Sequence, residues 1–202
     1  MKKIQQERVR QLNEKDVKDG DYVLYWMQEA QRAEYNYALE YAVQRANEIG
    51  QRLLVLFGLT ADYPEANLRH YAFMLEGLRD VEGALQRRGI RFVVQPGSPD
   101  EVALEFSTRA SMMVCDMGYM RPQKEWREKV ALEADCLVTQ VETEVVVPVE
   151  LASAKREHAA RTLRPKIRGH LDDFLSELEP TEIEQPSLGM EAEGLPLADI
   201  DA

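Results

Sequence analysis

Short apolar runs alternate with longer amphipathic stretches along most of this chain. The runs YVLYWM and LLVLFG are almost wholly apolar, which is typical of strands covered by helices on both faces of a sheet. The stretches between them carry apolar residues at helical spacing. The pattern predicts strands at 22–27, 53–58, 91–95, 112–116 and 136–141, and helices at 33–49, 67–88, 99–109 and 122–133.

Strands that alternate with helices predict βαβ units, and right-handed crossovers leave few topologies for them. The predicted fold class is α/β, a Rossmann-like, doubly wound, five-stranded parallel sheet in the order 3-2-1-4-5, with helices on both faces. This order places the C-terminal ends of the first and fourth strands side by side, at the switch point where such sheets bind ligands. Gly50 and Gly89 stand just past two predicted helices, as glycines at helix ends do.

The two ends of the chain depart from this alternation. Residues 1–19 carry weak helical spacing at Ile4, Val9 and Leu12, which predicts an N-terminal helical extension before the α/β domain at 20–150. Residues 151–202 are interpreted as a linker that is acidic and partly disordered or extended at its end. Pro148 and Pro165 are expected to break any long helix within it.

The net charge of −11 is unevenly distributed. Residues 171–202 contain ten acids and no Lys or Arg, which leaves 26 acids against 25 bases in the rest of the chain. Because that body carries no basic stripe, the chain alone is expected to bind DNA poorly. The run KREHAARTLRPKIR is basic, but such a run is usually a solvated face.

No apolar stretch is long enough to span a bilayer, and the N-terminus has no apolar signal region. We therefore expect a cytoplasmic protein with no membrane partner. The cysteines lack metal-ligand spacing and are interpreted as small buried apolar residues. The histidines have no neighbouring nucleophile or carboxylate motif and are interpreted as structural or exposed. These residues are Cys115, Cys136, His70, His158 and His170.

Polar residues follow the first strand directly, at the predicted ligand edge of the sheet. They are Gln28, Glu29, Gln31 and Arg32. Backbone amides beside them, at the start of the next helix, would favour an anion or a polarised ring oxygen. The chain has no G-x-G-x-x-G or phosphate-loop motif, so a nucleotide hydrolase is disfavoured. An ordinary solvated loop with a helix cap is the alternative.

A second candidate loop, CDMGYMR, follows the fourth strand. Asp116 ends the strand, Gly118 permits close backbone approach, and Tyr119 and Arg121 can stack on or clamp a flat ligand. Asp116 as a helix cap and Tyr119 as interdomain packing are the alternatives. Trp126 is expected to be a core side chain.

Blocks in the same order along the chain resemble the class II deoxyribodipyrimidine (cyclobutane pyrimidine dimer) photolyases. The first strand ends in YWMQ and is followed by QR and N-x-AL, and the later blocks are FGLT, YPEANLRHYAFMLEGL, CDMGYMRPQKEWR, VETEVVVPVE and AARTLRPKI. The resemblance covers about residues 20–170. The chain departs from the family pattern at Ala30, Met117 and His158.

The resemblance implies an N-terminal domain whose sheet edge supports an antenna chromophore, often a deazaflavin, and docks against a C-terminal helical domain. FAD and damaged DNA would be bound only by the full-length protein, through that missing domain, which carries deoxyribodipyrimidine photo-lyase activity. This chain alone would then be inactive, with no catalytic or metal-binding residue, and its bare docking face would favour self-association. The implied chromophore-binding residues are Trp26, Met27, Gln28, Gln31, Arg32, Asp116, Gly118, Tyr119 and Arg121.

The basic run KREHAARTLRPKIR resembles a segment of that family's linker. The resemblance implies that this run wraps back and pairs with acids of the α/β body or of the missing domain. Two other functions stay open. One is a free-standing nucleotide-binding module, similar to universal stress and electron-transfer flavoprotein domains, in which the amides after Met27 would replace the absent glycine cradle. The other is a protein-interaction domain without a small ligand.

Overall fold

The computed structural model describes residues 3–197 and confirms an α/β fold with a central sheet. The strands are β1 (Val9–Gln11), β2 (Tyr22–Trp26), β3 (Leu53–Leu59), β4 (Arg91–Pro96), β5 (Ala110–Asp116) and β6 (Leu137–Val141). The helices are α1 (Tyr37–Glu48), α2 (Leu68–Arg87), α3 (Pro99–Ser107), α4 (Arg121–Glu133), α5 (Val149–Ala152), α6 (Ala160–Arg168) and α7 (Leu171–Phe174). Across residues 3–197, no helix is long and apolar enough to cross a membrane.

The sheet has six strands in the order β1-β6-β5-β2-β3-β4. The five predicted strands are parallel and follow the predicted order, since β2 pairs with β3 on one side and with β5 on the other. The additional strand, β1, pairs antiparallel with β6 at one edge. The carboxyl ends of β2 and β5 therefore lie side by side, with Trp26 opposite Cys115.

Two apolar clusters fill the space between the sheet and its helices. Val23 and Tyr25 of β2 belong to a cluster with side chains of α1 and α2. Leu24 and Trp26 belong to a second cluster with side chains of α3 and α4. Successive β2 residues thus alternate between two covered faces, which explains why every residue of this strand is buried and apolar.

The predicted N-terminal helix is wrong. A 3-10 turn at Gln6–Arg8 leads directly into β1, which pairs Val9 with Val141. Ile4 and Val9 pack against the α1/α2 cluster, and Leu12 packs against the other one. Pairing with the open edge of β6 satisfies backbone groups that an isolated weak helix would leave to solvent, so the tertiary contact overrides the local spacing.

Arg8 fixes this N-terminal segment to the start of the linker. Its side chain is buried and donates to the carbonyl oxygens of Glu142 (3.2 Å), Val145 (2.8 Å) and Val146 (2.5 Å). The guanidinium also lies 3.9 Å from the centre of the Tyr37 ring. Burial lowers the pKa of Arg8 from its usual value. The contacts replace the water that the buried cation has lost.

Helix α1 begins four residues later than predicted. Asn36 is its N-cap, because the Asn36 side chain accepts a hydrogen bond from the Leu39 amide (2.9 Å). Tyr35 has φ of 49°, which ends the preceding loop in a left-handed conformation. An Asn before an apolar helical pattern is the sequence signal that marks this start.

The linker forms three short helices over a small apolar cluster of its own. Val147, Ala152 and Phe174 are buried there, and Ile167 packs against them. Pro148 precedes α5 and Pro165 lies inside α6, and the described linker contains no long helix, as predicted, although Pro165 does not itself end α6. The helix is nine residues long and has no buried residue, so solvent can satisfy the carbonyl that loses its partner.

The acidic tail is extended as predicted, and through residue 197 it is packed against the domain. The Leu195 amide donates to the Val94 carbonyl (2.7 Å), and Ser187 accepts from the Arg91 amide (2.8 Å), so the tail lies along the edge strand β4. Leu197 is buried in the core. The prediction of a disordered or extended tail covers residues 180–202, of which residues 198–202 lie outside the described part of the chain. The boundaries 1–19, 20–150 and 151–202 stay a prediction.

Replacement of Arg8 by Met is expected to lower the free energy of unfolding by about 2–4 kcal/mol, because one buried and two partly buried carbonyls lose a charged donor. Urea denaturation followed by circular dichroism measures the loss. Arg10→Met is the matched control, since Arg10 makes an exposed ion pair with Glu150, and should cost less than about 1 kcal/mol. Equal losses in the two variants would refute this role for Arg8.

Candidate ligand cleft at the carboxyl edge of the sheet

The loops after β2 and β5 meet at the carboxyl edge, as the strand order predicts. Asp116 is the last residue of β5 and is buried. One of its carboxylate oxygens accepts three successive backbone amides of the β2 loop, from Gln28 (3.0 Å), Glu29 (2.9 Å) and Ala30 (3.0 Å). The other oxygen accepts the Tyr25 hydroxyl (2.7 Å). The two loops are therefore joined through one side chain.

Burial raises the pKa of Asp116, whereas the hydrogen bonds from the three amides and from Tyr25 act in the opposite direction. Burial also raises the pKa of Tyr25 well above its usual value, with the Asp116 charge as the second cause. Asn36 completes the network, since its side chain donates to the Tyr25 hydroxyl (2.9 Å). The network joins β2, β5 and the start of α1 below the ligand edge.

This arrangement corrects the expectation that the amides after Met27 bind an external anion. The amides form a concave group of donors that would suit a phosphate oxygen. The Asp116 carboxylate already occupies them, and α1 begins only at Tyr37. The helix start and the amide group are therefore two separate features.

A cleft of about 190 Å³ opens beside this network. It lies between the β2 loop, the carboxyl end of β3, the loop that follows β3, the first turns of α2, and α4. Apolar and aromatic side chains alternate with amide, hydroxyl and imidazole groups along its wall. The lining residues are Gln28, Glu29, Gln31, Phe57, Gly58, Leu59, Thr60, Tyr63, Ala66, His70, Tyr71, Met74, Gln123 and Trp126.

Gln28 is held rigidly at the floor of the cleft. Its side-chain oxygen accepts from the Trp26 indole (3.0 Å) and from the Gly58 amide (3.2 Å), while its nitrogen donates to the Gly58 carbonyl (3.0 Å). Only glycine fits at position 58, because a Cβ there would lie 2.7 Å from the Pro99 Cα. Packing of α3 against β3 thus fixes the position of a cleft side chain.

Glu29, the next residue of the β2 loop, provides an acidic group in the cleft lining. Burial raises the pKa of its carboxyl, and the nearby charges of Glu144 and Asp116 raise it further. The Gln123 side chain donates to Glu29, and its oxygen accepts from the Met120 amide at the start of α4 (2.9 Å). The start of α4 is therefore tied to the β2 loop by an amide bridge.

His70 is structural, as predicted, and it also lines the cleft. It lies in the first turn of α2, where its Nδ1 accepts a hydrogen bond from the backbone amide of the N-cap residue Asn67 (3.1 Å). Because Nδ1 is an acceptor, the neutral ring carries its proton on Nε2. The capping arrangement thus fixes the tautomer of a cleft histidine.

Some predicted site residues lie on the cleft or directly beside it. Gln28 and Gln31 line it. Trp26, Asp116 and Gly118 line a narrow crevice that adjoins it and shares Gln28. The crevice is almost filled by side chains, and these three residues support the cleft from behind.

The other predicted site residues point elsewhere. Met27 is buried in the α1/α2 cluster. The Arg32 guanidinium pairs with Glu144 (2.6 Å), and the Tyr119 hydroxyl donates to Glu142 (2.6 Å). The Arg121 side chain is 89% exposed and pairs with Glu125 on the same helix.

Sequence reasoning missed the contribution of the β3–α2 segment to the cleft. Tyr63, Tyr71 and Met74 come from this segment, and Trp126 is a half-buried cleft residue at the rim of the core. The Tyr63 and Trp126 rings lie 6.2 Å apart and are tilted by 59°. The aromatic density of YPEANLRHYAFM was the available signal. Within residues 3–197, no group of three or more His, Cys, Asp or Glu side chains is arranged to hold a metal ion.

The two cysteines are buried and unpaired. Burial raises the pKa of Cys115 to about 12 and that of Cys136 to about 11. Their interpretation as small apolar residues is confirmed.

Comparison with known proteins places this geometry in a family. The family model of DNA photolyase matches residues 23–187, which is most of the chain. The chain belongs to the DNA photolyase family. The match includes both loops of the Asp116 network and the β3–α2 segment that builds the cleft.

Two curated members of this family illustrate the relationship. The deoxyribodipyrimidine photo-lyase of Methanothermobacter thermautotrophicus is 47% identical over 190 residues, which are 93% of this chain and 42% of that protein. The enzyme of the same name from Arabidopsis thaliana is 35% identical over 79% of this chain and 33% of its own length. The chain thus spans less than half the length of these photolyases.

A solved structure supports the same fold. The archaeal photolyase from Sulfolobus tokodaii superposes with a TM-score of 0.61 at 17% identity, over 73% of this chain and 34% of that one. That photolyase is described as containing two FAD molecules, with the implication of a novel light-harvesting cofactor.

Replacement of Asp116 by Ala is expected to lower the free energy of unfolding by about 3–5 kcal/mol, because three amides and the Tyr25 hydroxyl lose their acceptor. Asp116→Asn should cost less, about 1–2 kcal/mol, because its oxygen still accepts the amides and its nitrogen can donate to Tyr25. Urea denaturation measures both variants. Asp135→Ala, at an exposed ion pair with Lys18, is the control; a loss there as large as in Asp116→Ala would contradict the role of the network.

Proposed function

We propose that this chain is the antenna and docking domain of a class II deoxyribodipyrimidine photolyase, and that the cleft beside the Asp116 network receives part of a light-harvesting chromophore. The observation that carries the proposal is the position of the cleft: it opens at the carboxyl edge of the sheet, directly beside the switch point between β2 and β5, in a chain of the photolyase family. The class II assignment is supported by the ordered sequence blocks from YWMQ to AARTLRPKI.

The lining of the cleft suits the edge of a flat heteroaromatic ring. Phe57, Met74 and Trp126 supply apolar and aromatic surface, and the amides of Gln28 and Gln123 are held by their own hydrogen bonds. Binding sites of whole ligands usually enclose about 300–1,000 Å³, so 190 Å³ accommodates only part of a deazaflavin-type molecule. The remainder would lie towards the open side, against a partner domain.

When bound, such a chromophore absorbs light and passes the excitation energy to a flavin elsewhere in the enzyme. The residues of this chain would orient the ring and exclude water from it. Gln28, Gln31 and Trp126 line the cleft and would contact the ring directly. Trp26, Asp116 and Gly118 line the adjoining crevice and would support the cleft wall from behind. Met27 holds the β2 loop by packing in the core, and Arg32 holds it by pairing with Glu144. Tyr119 holds the loop after β5 by its hydrogen bond to Glu142.

A docking role is supported by side chains exposed at the same edge. Tyr35, Met120 and Arg121 all project there, and Met120 is 59% exposed. An exposed mixture of apolar and charged groups is typical of an interface within a longer chain. In this proposal a C-terminal helical domain covers the edge, binds FAD and the damaged DNA, and carries the repair activity in the cytoplasm.

A free-standing nucleotide-binding module has less support. That function depends on the amides after Met27 as a phosphate cradle, and those amides donate to Asp116.

Titration with a deazaflavin tests the antenna assignment directly. The chain is expected to change the fluorescence of the chromophore on binding, and Ala66→Trp should weaken binding at least about tenfold, because an indole at position 66 fills the small cleft. Leu132→Trp adds the same group on the exposed side of α4 and should bind as the parent does. Equal affinity of the two variants would place the chromophore elsewhere, and no binding by the parent chain or by a full-length photolyase containing it would refute the antenna role.

Repair by this chain alone is a separate test. Incubated with FAD and an oligonucleotide containing cyclobutane dimers, the 202 residues are expected to show no dimer reversal under blue light, because the proposal assigns flavin and lesion binding to another domain. High-performance liquid chromatography of the oligonucleotide measures reversal. Measurable light-dependent reversal would overturn the assignment of repair to the helical domain.

A further inference from the structure

Helix α6 carries three arginines along one stripe of its surface. Arg161, Arg164 and Arg168 lie at positions i, i+3 and i+7, which a rotation of 100° per residue places within an arc of about 60°. At 1.5 Å per residue the stripe is about 10 Å long. All three side chains belong to exposed residues.

None of these three arginines makes an ion pair or a side-chain hydrogen bond with any residue between 3 and 197. Their neighbour Lys166 differs, because it pairs with Glu157 (2.6 Å) and donates to Ser153 (2.9 Å). The wrapping of this run onto acids of the α/β body, expected from the sequence, is therefore not seen for the arginine stripe. Three arginines without an acidic partner on one helix face form a local positive charge that can bind a negatively charged partner.

The stripe lacks the apolar centre of a protein interface. The large apolar residues of α6 are Leu163 and Ile167, which a rotation of 100° per residue places about 130° and about 90° around the helix from the centre of the stripe. Ile167 packs against the linker cluster of Val147 and Phe174. Protein interfaces are enriched in arginine, but their core is mostly apolar and aromatic, whereas phosphate contacts require only basic groups. Arginine also binds phosphate through two parallel hydrogen bonds. These features favour a phosphate backbone over an acidic protein.

The acidic tail leaves this surface free. Beyond α7 it runs along α1 and β4, where the Glu184 amide donates to Asn47 (2.9 Å) and the Leu195 amide donates to Val94. Between residues 155 and 168 there are six Lys and Arg residues against the single acid Glu157. Asp172 and Asp173 of α7 are the next acids along the chain. The tail from Glu184 to Leu195 is thus bound along α1 and β4 and does not neutralise the arginine stripe of α6.

We infer that the Arg161–Arg164–Arg168 stripe of α6 contacts the phosphate backbone of duplex DNA. The contact carries no sequence or lesion specificity, because it reaches phosphates and not bases. It is a weak and salt-sensitive contact, in line with the near-neutral charge of the domain body. The inference goes beyond the proposed function and does not depend on the antenna or on repair activity.

Fluorescence anisotropy with an undamaged, labelled DNA duplex tests this contact. Three neutralised phosphates predict a loss of about 40-fold in affinity of the parent chain between about 50 and about 200 mM NaCl. The triple variant R161Q/R164Q/R168Q should bind at least about tenfold more weakly at the lower salt and lose most of that salt dependence. Urea denaturation of both proteins verifies that the variant remains folded.

The matched control is R52Q/R69Q/R87Q, which removes the same charge from exposed positions outside the linker. It is expected to bind DNA within about threefold of the parent, with a similar salt slope. Equal weakening by the two triple variants would show a diffuse charge effect and overturn the inference. Undetectable binding of the parent at low salt would also overturn it, as would equal binding of polyglutamate, which would indicate an acidic protein partner.

Discussion

The structure of the ligand edge depends on one buried carboxylate. Asp116 ends β5 and holds three consecutive amides of the β2 loop, while Tyr25 and Asn36 extend the network into the core and α1. Buried amides without acceptors would be costly, so the loop has little freedom to take another path. The positions of Gln28 and Gln31 on the cleft follow from this constraint. A side chain that looked like a ligand contact in the sequence is instead the internal partner that shapes the site.

Hydrophobic patterning was sufficient for the centre of the fold. The runs around Tyr25 and Val55 are apolar on both faces, which indicates a covered parallel sheet. The right-handed crossover rule left few strand orders, and the order with the first and fourth strands side by side at a switch point is the one observed for the five parallel strands. Patterning failed at the N-terminus because β1 is only three residues long and gains its stability from β6 and Arg8. Contacts between residues about 130 positions apart leave no local periodicity to detect.

The candidate site was predictable only in part, for a similar reason. Gln28 and Asp116 follow directly on apolar strands, and strand order alone brings their loops together. The opposite wall comes from Tyr63, Tyr71 and Met74, whose position depends on how α2 packs and on the length of the loop before it. The directions of the Arg32 and Tyr119 side chains could not be predicted from the sequence either, because each depends on an acidic partner that follows β6. Arg32 pairs with Glu144, and Tyr119 donates to Glu142.

The path of the acidic tail has a consequence for anything joined to residue 197. Because Thr181, Ser187 and Leu197 are each anchored to the body, the stretch after α7 does not act as a flexible tether. The chain leaves the domain beside β4, where the Leu197 carbonyl accepts a hydrogen bond from Arg79 (2.9 Å). A module attached there starts from a fixed point on the surface. Its effective concentration near the cleft is then set by the length of chain that separates the module from that point, since local concentration falls as a tether lengthens.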